Sequence, residues 1–206
     1  MAPPRRAATL PVEFFQRDVV TVARALLGAQ LETTFRGCRT AGRIVEVEAY
    51  LGAEDPASHA YRSRRHAQNQ SLYLPPGTWY VYLSYGMHWC ANLVAGTPGQ
   101  GGAVLLRAVE PVAGEAAMVR RRGLSTPVLL GSGPGRLCQA LGITRGRLDG
   151  QMMGDSEARV HSALELPGEE IITTPRIGIT KAADWPLRFL VRGSPHVSGK
   201  RVGRAG

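Results

Sequence analysis

Two glutamates in the first quarter of the chain are the strongest candidates for catalytic residues. Glu46 and Glu48 lie two positions apart in the segment RIVEVEAY, and on a β-strand such side chains point to one face, about 6–7 Å apart. A pair of carboxylates can activate water or cleave a glycosidic bond. The spacing alone is equally typical of a solvent-facing strand edge, which is the simpler interpretation. Tyr50 shares the face and covers part of it, so a carboxylate beneath this ring could act as a base.

Aromatic side chains concentrate between positions 73 and 89, at Tyr73, Trp79, Tyr80, Tyr82, Tyr85 and Trp89. We expect core packing to account for the two tryptophans. Tyr80 and Tyr82 alternate on one strand face, where tyrosine rings can form a stacking platform for a nucleobase. Tyr85 ends the apolar strand before Gly86 and Met87, and a strand tip of this kind could act as a wedge that opens a base stack.

The charge distribution favours a polyanionic partner. The formal net charge is +9, and acidic residues are absent between positions 55 and 110, between 115 and 149, and after 184. Positive segments without acids attract phosphate groups if they share one face. An arginine-rich chain with a solvated surface would have the same composition, so charge alone favours nucleic acid only slightly. Nearly all of the positive charge comes from arginine, because Lys181 and Lys200 are the only lysines.

The remaining composition argues against several other classes of site. Three distant cysteines, Cys38, Cys90 and Cys138, fit neither a disulfide framework nor a zinc ribbon, and the last two lie in apolar segments typical of a core. No metal-ligand spacing and no phosphate loop is present, so we expect neither a metal nor another cofactor. No apolar run reaches the roughly 20 residues of a membrane-spanning helix, and no signal peptide is recognisable. We expect no membrane association and a cytoplasmic location, or a nuclear one in a eukaryote.

The pattern of apolar residues predicts a single α+β domain built on an antiparallel sheet. Helical spacing occurs in residues 19–29, 114–122 and 134–142. Alternation typical of strands occurs in residues 31–35, 43–50, 79–85, 89–95 and 103–109, and in two further strands within 176–197. Residues 51–77 are predicted to form a long loop with one helical turn at 55–60, and loops of this length are often functional. We place the domain at residues 11–198, between flexible tails at residues 1–10 and 199–206.

Four motifs occur in the order and spacing of one protein family: EVEAYLGAEDPASH, PPGTWYVYLSYGMHWCANLV, AVLLRAVEP and GPGRLCQALGI. With them, the chain resembles the alkyladenine (3-methyladenine) DNA glycosylases over residues 19–198. The resemblance implies a curved antiparallel sheet surrounded by helices, with a protruding β-hairpin that intercalates into DNA. It also implies a monomeric, nucleoid-associated enzyme of base excision repair. Such an enzyme flips alkylated or deaminated purines out of duplex DNA and hydrolyses the N-glycosidic bond without a cofactor, leaving an abasic site.

The resemblance assigns roles in catalysis and in DNA binding to five residues. Glu48 would be the base that activates the attacking water, and Arg107 would hold a backbone phosphate near it. Tyr85 would intercalate into the minor groove and fill the space left by the flipped nucleotide, with Met87 supporting it. Arg64 lies in the loop that approaches the DNA backbone in this family.

The resemblance also implies how the pocket recognises the flipped base. Tyr50, His59 and Tyr82 would form its stacking walls. Asn92 would line the pocket floor and clash with the exocyclic amino group of ordinary guanine. The loop at residues 60–71 matches the family at few positions, so its phosphate contacts are not implied.

The scarcity of lysine bears on the reaction type. Glycosylases that also nick the strand use an amine nucleophile in the pocket, and neither Lys181 nor Lys200 lies in the pocket motifs. We therefore predict a monofunctional enzyme. Two alternatives remain at this point. One is a non-catalytic nucleic-acid-binding module with a tyrosine platform, and the other is a sugar hydrolase that uses Glu46 and Glu48.

Overall fold

The centre of the fold is strand β2, Cys38–Tyr50, in an eight-stranded sheet. The computed structural model describes residues 8–162 and 171–199. One edge of β2 pairs with β5, Ala103–Ala113. The other edge is shared, because β1, Gln30–Phe35, pairs with the first half of β2 and β8, Arg188–Val191, pairs with residues 46–48. β2 is therefore enclosed on both edges along most of its length.

The other strands extend the sheet outwards. β3, Trp79–Ser84, and β4, His88–Val94, form a hairpin, and β4 pairs with β5. At the other side β6, Ala158–His161, pairs with β1, and β7, Ile171–Thr174, pairs with β8. All of these pairings between described strands are antiparallel. The predicted α+β domain with an antiparallel sheet is confirmed.

Six short helices of the described chain surround the sheet: α1 Val12–Phe15, α2 Val19–Leu26, α3 Glu115–Arg122, α4 Pro127–Leu130, α5 Pro134–Leu141 and α6 Arg145–Leu148. Helix α2 is capped by the preceding Asp18, whose carboxylate accepts a hydrogen bond from the Thr21 amide at 3.0 Å. Helix α5 starts at a proline and is followed by Gly142, which has a left-handed φ of 73°. No helix in the described part of the chain is long and apolar enough to cross a membrane.

Most predicted elements are confirmed with shifted ends. The helix predicted at 19–29 ends at Leu26, and the strand predicted at 103–109 continues to Ala113. Cys90 and Cys138 are buried, as their apolar surroundings predict. The sheet core lies mostly beneath α2 and α5, whose apolar faces pack against β2, β4 and β5.

The predicted pair of strands in residues 176–197 is wrong in its first half. Only Arg188–Val191 is a strand, and its partner is the earlier segment Ile171–Thr174. The residues just after position 175 do not join the sheet because their polar groups bind side chains of the site. The Arg176 guanidinium binds the Asp55 carboxylate, and the amide of Ile177 donates to Glu48.

The helical turn predicted at 55–60 is also wrong. Asp55 accepts a hydrogen bond from the Ala57 amide at 3.0 Å, and such a local bond from a side chain competes with helix formation. Helical turns lie on either side instead, at Gly52–Glu54, Tyr61–Ser63 and Gln70–Tyr73.

At the N-terminus, backbone pairing with β6 begins before the predicted domain boundary at residue 11. The Leu10 amide donates to the Val160 carbonyl, and the Ser162 amide donates to the Ala8 carbonyl, both at 2.8 Å. The rest of the two predicted tails, residues 1–7 and 200–206, lies outside the described residues.

Candidate active site

A cavity of about 950 Å³ opens where β2 ends. Side chains from β2, β3, β4, β5 and the long loop line it, together with residues 177–179. It brings together six of the predicted site residues, Tyr50, His59, Tyr82, Tyr85, Asn92 and Arg107. Three predicted residues lie elsewhere. Glu48 is fully buried behind the lining, and the side chains of Arg64 and Met87 are exposed to solvent.

The Glu48 carboxylate is held by three donors. Its Oε1 accepts from the Ile177 amide at 2.8 Å and lies 3.2 Å from Nη1 of Arg107. Its Oε2 accepts from the Tyr50 hydroxyl at 2.9 Å. A carboxylate offers about four acceptor positions, so one position on Oε2 is left for a water molecule. Glu48 is therefore fixed in orientation by fewer donors than its two oxygens can accept.

Tyr50 keeps its proton in this arrangement. Burial, and then the neighbouring Glu48 carboxylate, raise the pKa of the Tyr50 hydroxyl above its ordinary value. The hydroxyl is therefore a hydrogen-bond donor at neutral pH, which suits an ionised carboxylate as acceptor.

Arg107 joins the two glutamates because of an irregularity in the sheet. The register between β2 and β5 passes from Glu46–Ala108 to Val47–Leu106, which leaves Arg107 as an extra residue in β5. Such bulges commonly redirect a side chain. Here the guanidinium contacts Glu46 through Nε at 3.0 Å and Glu48 through Nη1. The common face that the sequence predicts for the two carboxylates is confirmed by this shared arginine.

Glu46 has a different environment from Glu48. Like Glu48, it is fully buried and does not line the cavity, so the difference lies in its partners. Its Oε1 accepts from Nε of Arg188 at 2.7 Å and from the Ser198 hydroxyl at 2.8 Å, in addition to Arg107. Glu46 is thus a structural counter-charge for two buried arginines, and this argues against a sugar hydrolase with two carboxylates facing the substrate.

Three rings form one wall of the cavity. The His59 and Tyr82 rings meet edge to face at 4.5 Å between centroids, and Tyr80 and Tyr82 stack at 5.4 Å. His59 Nδ1 lies 2.7 Å from the Tyr80 hydroxyl. Desolvation by these neighbours, and then nearby His66, lower the pKa of His59 below its usual value. His59 is therefore neutral at pH 7 and can stack as an uncharged ring.

Asn92 lines the cavity in a fixed orientation. Its side chain is 4% exposed, and its Nδ2 donates to the Tyr80 carbonyl at 3.0 Å across the β3–β4 hairpin.

Two groups of the site are not among the residues that the resemblance implies, namely Tyr80 and the amide of Ile177. The alternation of Tyr80 with Tyr82 does predict the first, whereas a backbone amide from a distant segment leaves no signal in the sequence.

The β3–β4 hairpin carries two exposed apolar side chains at its tip. Tyr85 is 81% exposed and Met87 is 72% exposed. Tyr85 and Gly86 both have left-handed φ values, 49° and 68°, and the Met87 amide donates to the Ser84 carbonyl at 3.1 Å. This is the geometry of a type I′ turn, which connects paired strands tightly. The turn therefore leaves the Tyr85 ring exposed to solvent.

The loop that carries His59 and Arg64 is held together by one buried amide. Asn69 donates through Nδ2 to the carbonyls of His59 and Arg64, both at 3.0 Å, and accepts from the His66 amide at 2.9 Å. The Tyr73 hydroxyl donates to the same Arg64 carbonyl at 2.6 Å. The backbone at Arg64 is therefore anchored while its side chain points to solvent.

Comparisons with known proteins match most of the chain to one family. The sequence profile of the methylpurine-DNA glycosylase family matches residues 13–195. A protein of Methanoculleus marisnigri named as a 3-methyladenine DNA glycosylase is 52% identical over 197 residues, which cover 92% of this chain and 98% of that protein. Proteins of the same name from Koribacter versatilis and Agrobacterium fabrum are each 48% identical, over 94% and 93% of this chain and 95% and 93% of their own. The matched region contains every residue of the cavity.

Proposed function

The chain belongs to the methylpurine-DNA glycosylase family and is a DNA glycosylase for alkylated bases, and within that activity we propose a monofunctional mechanism with Glu48 as the base. The enzyme flips an alkylated or deaminated purine out of duplex DNA and hydrolyses its bond to deoxyribose. The observation that supports this most is the Glu48 carboxylate, oriented by three donors directly behind an aromatic cavity. A non-catalytic binding module would have no use for such a carboxylate.

In the proposed reaction, water on the free position of Glu48 attacks C1′ of the flipped nucleotide. The C1′–N bond breaks with its electron pair leaving on the purine, the water oxygen bonds to C1′, and Glu48 takes the proton. The carboxylate also stabilises the positive charge that develops on the sugar. Arg107 has five N–H donors, of which three bind Glu46, Glu48 and Ser198. The remaining donors are available for a phosphate next to the reacting sugar.

The aromatic wall and Asn92 provide the recognition of the base in this proposal. Tyr50, His59 and Tyr82 stack on the flipped purine, and neutral His59 avoids repelling a cationic alkylated base. Asn92 excludes bases with an exocyclic amino group at the position where guanine has one, because its side chain is fixed by the Tyr80 carbonyl.

The Asn92→Ser variant tests this exclusion. We expect it to excise guanine about five- to 150-fold faster relative to hypoxanthine, since a steric clash of this kind costs ~1–3 kcal/mol. Hypoxanthine differs from guanine only by lacking the amino group, so it is the internal control. The measurement is single-turnover excision from duplexes that differ in this one base. An unchanged ratio of the guanine and hypoxanthine excision rates would show that Asn92 does not exclude guanine.

At the hairpin tip, Tyr85 is proposed as the residue that fills the space of the flipped nucleotide, with Met87 packed beside it in the minor groove. Arg64 is proposed to bind the backbone of the same duplex from the anchored loop. We expect Tyr85→Ser to weaken binding to lesion DNA by about ten- to a hundredfold, because unstacking a base costs a few kcal/mol that the ring no longer offsets.

Affinity for an ethenoadenine duplex, measured by fluorescence anisotropy, checks the Tyr85 assignment. Val112→Ser is a matched control, because Val112 is also exposed, at 56%, but lies near the opposite end of β2 from the cavity. Equal affinity of the Tyr85 variant and the native enzyme would show that the tip does not act as a wedge.

The experiment that tests the function is single-turnover excision on duplexes with one hypoxanthine or one ethenoadenine. We expect strand breaks only after alkali, because a monofunctional enzyme leaves an intact abasic site. Lys181 is exposed and does not line the cavity, so we expect no adduct after borohydride reduction. A trapped adduct, or no excision of these bases or of methylated purines by folded enzyme, would contradict the proposal.

One chain supplies all of the groups in this proposal, which favours action as a monomer, and light scattering of the DNA complex checks it. Because the substrate is cellular DNA, we propose that the enzyme works at the nucleoid, or in the nucleus of a eukaryote.

A further inference from the structure

A buried ion pair that the proposed reaction does not use lies beside Glu48. The side chains of Asp55 and Arg176 are both fully buried. Nη2 of Arg176 donates to one Asp55 oxygen at 2.8 Å, and Nη1 donates to the other. Asp55 also accepts from the amides of Leu51 and Ala57 at 3.2 and 3.0 Å. The pair therefore fixes the start of the long loop as well as the segment after β7.

Both ends of the Arg176 side chain lie next to groups that bind Glu48. The guanidinium donates to the Ala49 carbonyl at 3.0 Å, between Glu48 and Tyr50 in the strand, and stacks over the Tyr50 ring at 4.6 Å. The residue that follows Arg176 is Ile177, whose amide donates to Glu48. Two of the three donors to Glu48 thus depend on where Arg176 lies.

We propose that Arg176 and Asp55 are positioning residues for Glu48, which hold the Ile177 amide and the Tyr50 hydroxyl against the carboxylate. This inference rests on the proposed role of Glu48 as the base. A buried ion pair is in general weak evidence for a role in stability, since desolvation offsets much of its attraction. The position of the pair beside the groups that bind Glu48 explains its presence better, because small displacements of orienting groups lower the rate of an enzyme strongly.

Arg176→Lys is the first test, because lysine keeps the charge but loses the planar fork and the stacking on Tyr50. We expect the single-turnover excision rate at neutral pH to fall about ten- to a hundredfold, with affinity for lesion DNA within about threefold of native. We also expect the acid limb of the pH–rate profile to move to higher pH, because the carboxylate loses donors that favour its charged form.

The pH readout is specific because the other groups around Glu48 are unchanged in this variant. The titratable and charged groups that face it are Glu46 and Tyr50 on its own strand, Cys90 on β4, Arg107 on β5, and Asp55, Arg176 and Arg188. Only Arg176 is altered, and its replacement carries the same charge. A moved acid limb therefore reports a changed geometry of the donors to Glu48.

Arg121→Lys is a control for the same substitution at an arginine whose contacts lie away from the cavity. Arg121 binds the Thr40 hydroxyl at 3.2 Å and the Ala140 carbonyl at 2.9 Å, away from the cavity. We expect it to lower stability while the rate and the pH profile of the folded enzyme stay native. If Arg176→Lys behaves in the same way, the ion pair is only structural and the proposal is overturned.

Asp55→Asn provides a second variant if Arg176→Lys does not fold, because the amide keeps the shape and an acceptor for the guanidinium. Because this variant also removes a negative charge near Glu48, the charge change alone would move the acid limb to lower pH. A move to higher pH with retained lesion binding therefore supports the proposal. An unmoved acid limb, a move to lower pH, or a loss of lesion binding in step with rate overturns it. The proposed function fails separately, if Glu48→Gln retains activity. Loss of activity in Glu48→Gln with native kinetics in both ion-pair variants would reject only the positioning role.

Discussion

Glu48→Gln is expected to lower the single-turnover excision rate by about 10²–10⁴-fold, the usual contribution of a general base, while lesion DNA still binds. The variant should fold, because glutamine can keep the contacts of Glu48. Its amide oxygen can accept from the Ile177 amide and Arg107, and its amide nitrogen can donate to the Tyr50 hydroxyl in place of accepting from it. The loss is therefore confined to the ability to take a proton from water and to stabilise the positive charge on the sugar.

Rapid-quench kinetics on a hypoxanthine duplex measure this rate, and anisotropy on the same duplex measures binding. Glu110→Gln is the control for a lost carboxylate. Glu110 lies on β5 outside the cavity and pairs with Arg43 through Nε at 2.8 Å, so its rate should be native. Turnover of Glu48→Gln within about threefold of native would assign the activation of water to another group.

Glu46→Gln is expected to lower the free energy of unfolding by about 3–5 kcal/mol, the cost of removing one partner from a buried ionic network. The guanidinium groups of Arg107 and Arg188 both lose their shared counter-charge. Glu46 Oε2 also accepts from the Ser198 amide, so the glutamine amide either faces that donor with its own N–H groups or turns them toward the arginines. Each orientation leaves buried donors without an acceptor.

Urea unfolding followed by circular dichroism gives this free energy from the midpoint and slope. Glu32→Gln is the matched control, because Glu32 pairs with a half-exposed Arg39 at 2.6 Å, and exposed pairs contribute about 0–1 kcal/mol. A loss below about 1 kcal/mol for Glu46→Gln would show that water or a rearranged Ser198 compensates the buried arginines.

Some of the site follows from local spacing. Side chains of a strand alternate between faces, so the shared face of Glu46, Glu48 and Tyr50 is predictable from their positions. The stacking of Tyr80 on Tyr82 follows from the same rule. The hairpin tip at Tyr85 is also local, since the glycine after it favours a tight turn.

The division of roles between the two carboxylates is not local. Glu46 and Glu48 have nearly the same neighbours in sequence, and only the folded chain surrounds Glu46 with two arginines and places Glu48 behind the cavity. The bulge at Arg107 decides part of this, because it turns one guanidinium toward both acids.

The sequence by itself determined the family, the antiparallel α+β fold and six of the side chains that line the cavity, because motifs and alternation are properties of neighbouring residues. Tertiary structure alone decided which groups hold Glu48 and Glu46. The Ile177 amide and the Arg176–Asp55 pair come from segments more than 100 positions apart in the chain. The pattern of apolar and polar residues predicts a strand that begins at position 176. The charged hydrogen bonds between the Arg176 guanidinium and the Asp55 carboxylate instead hold that segment at the site.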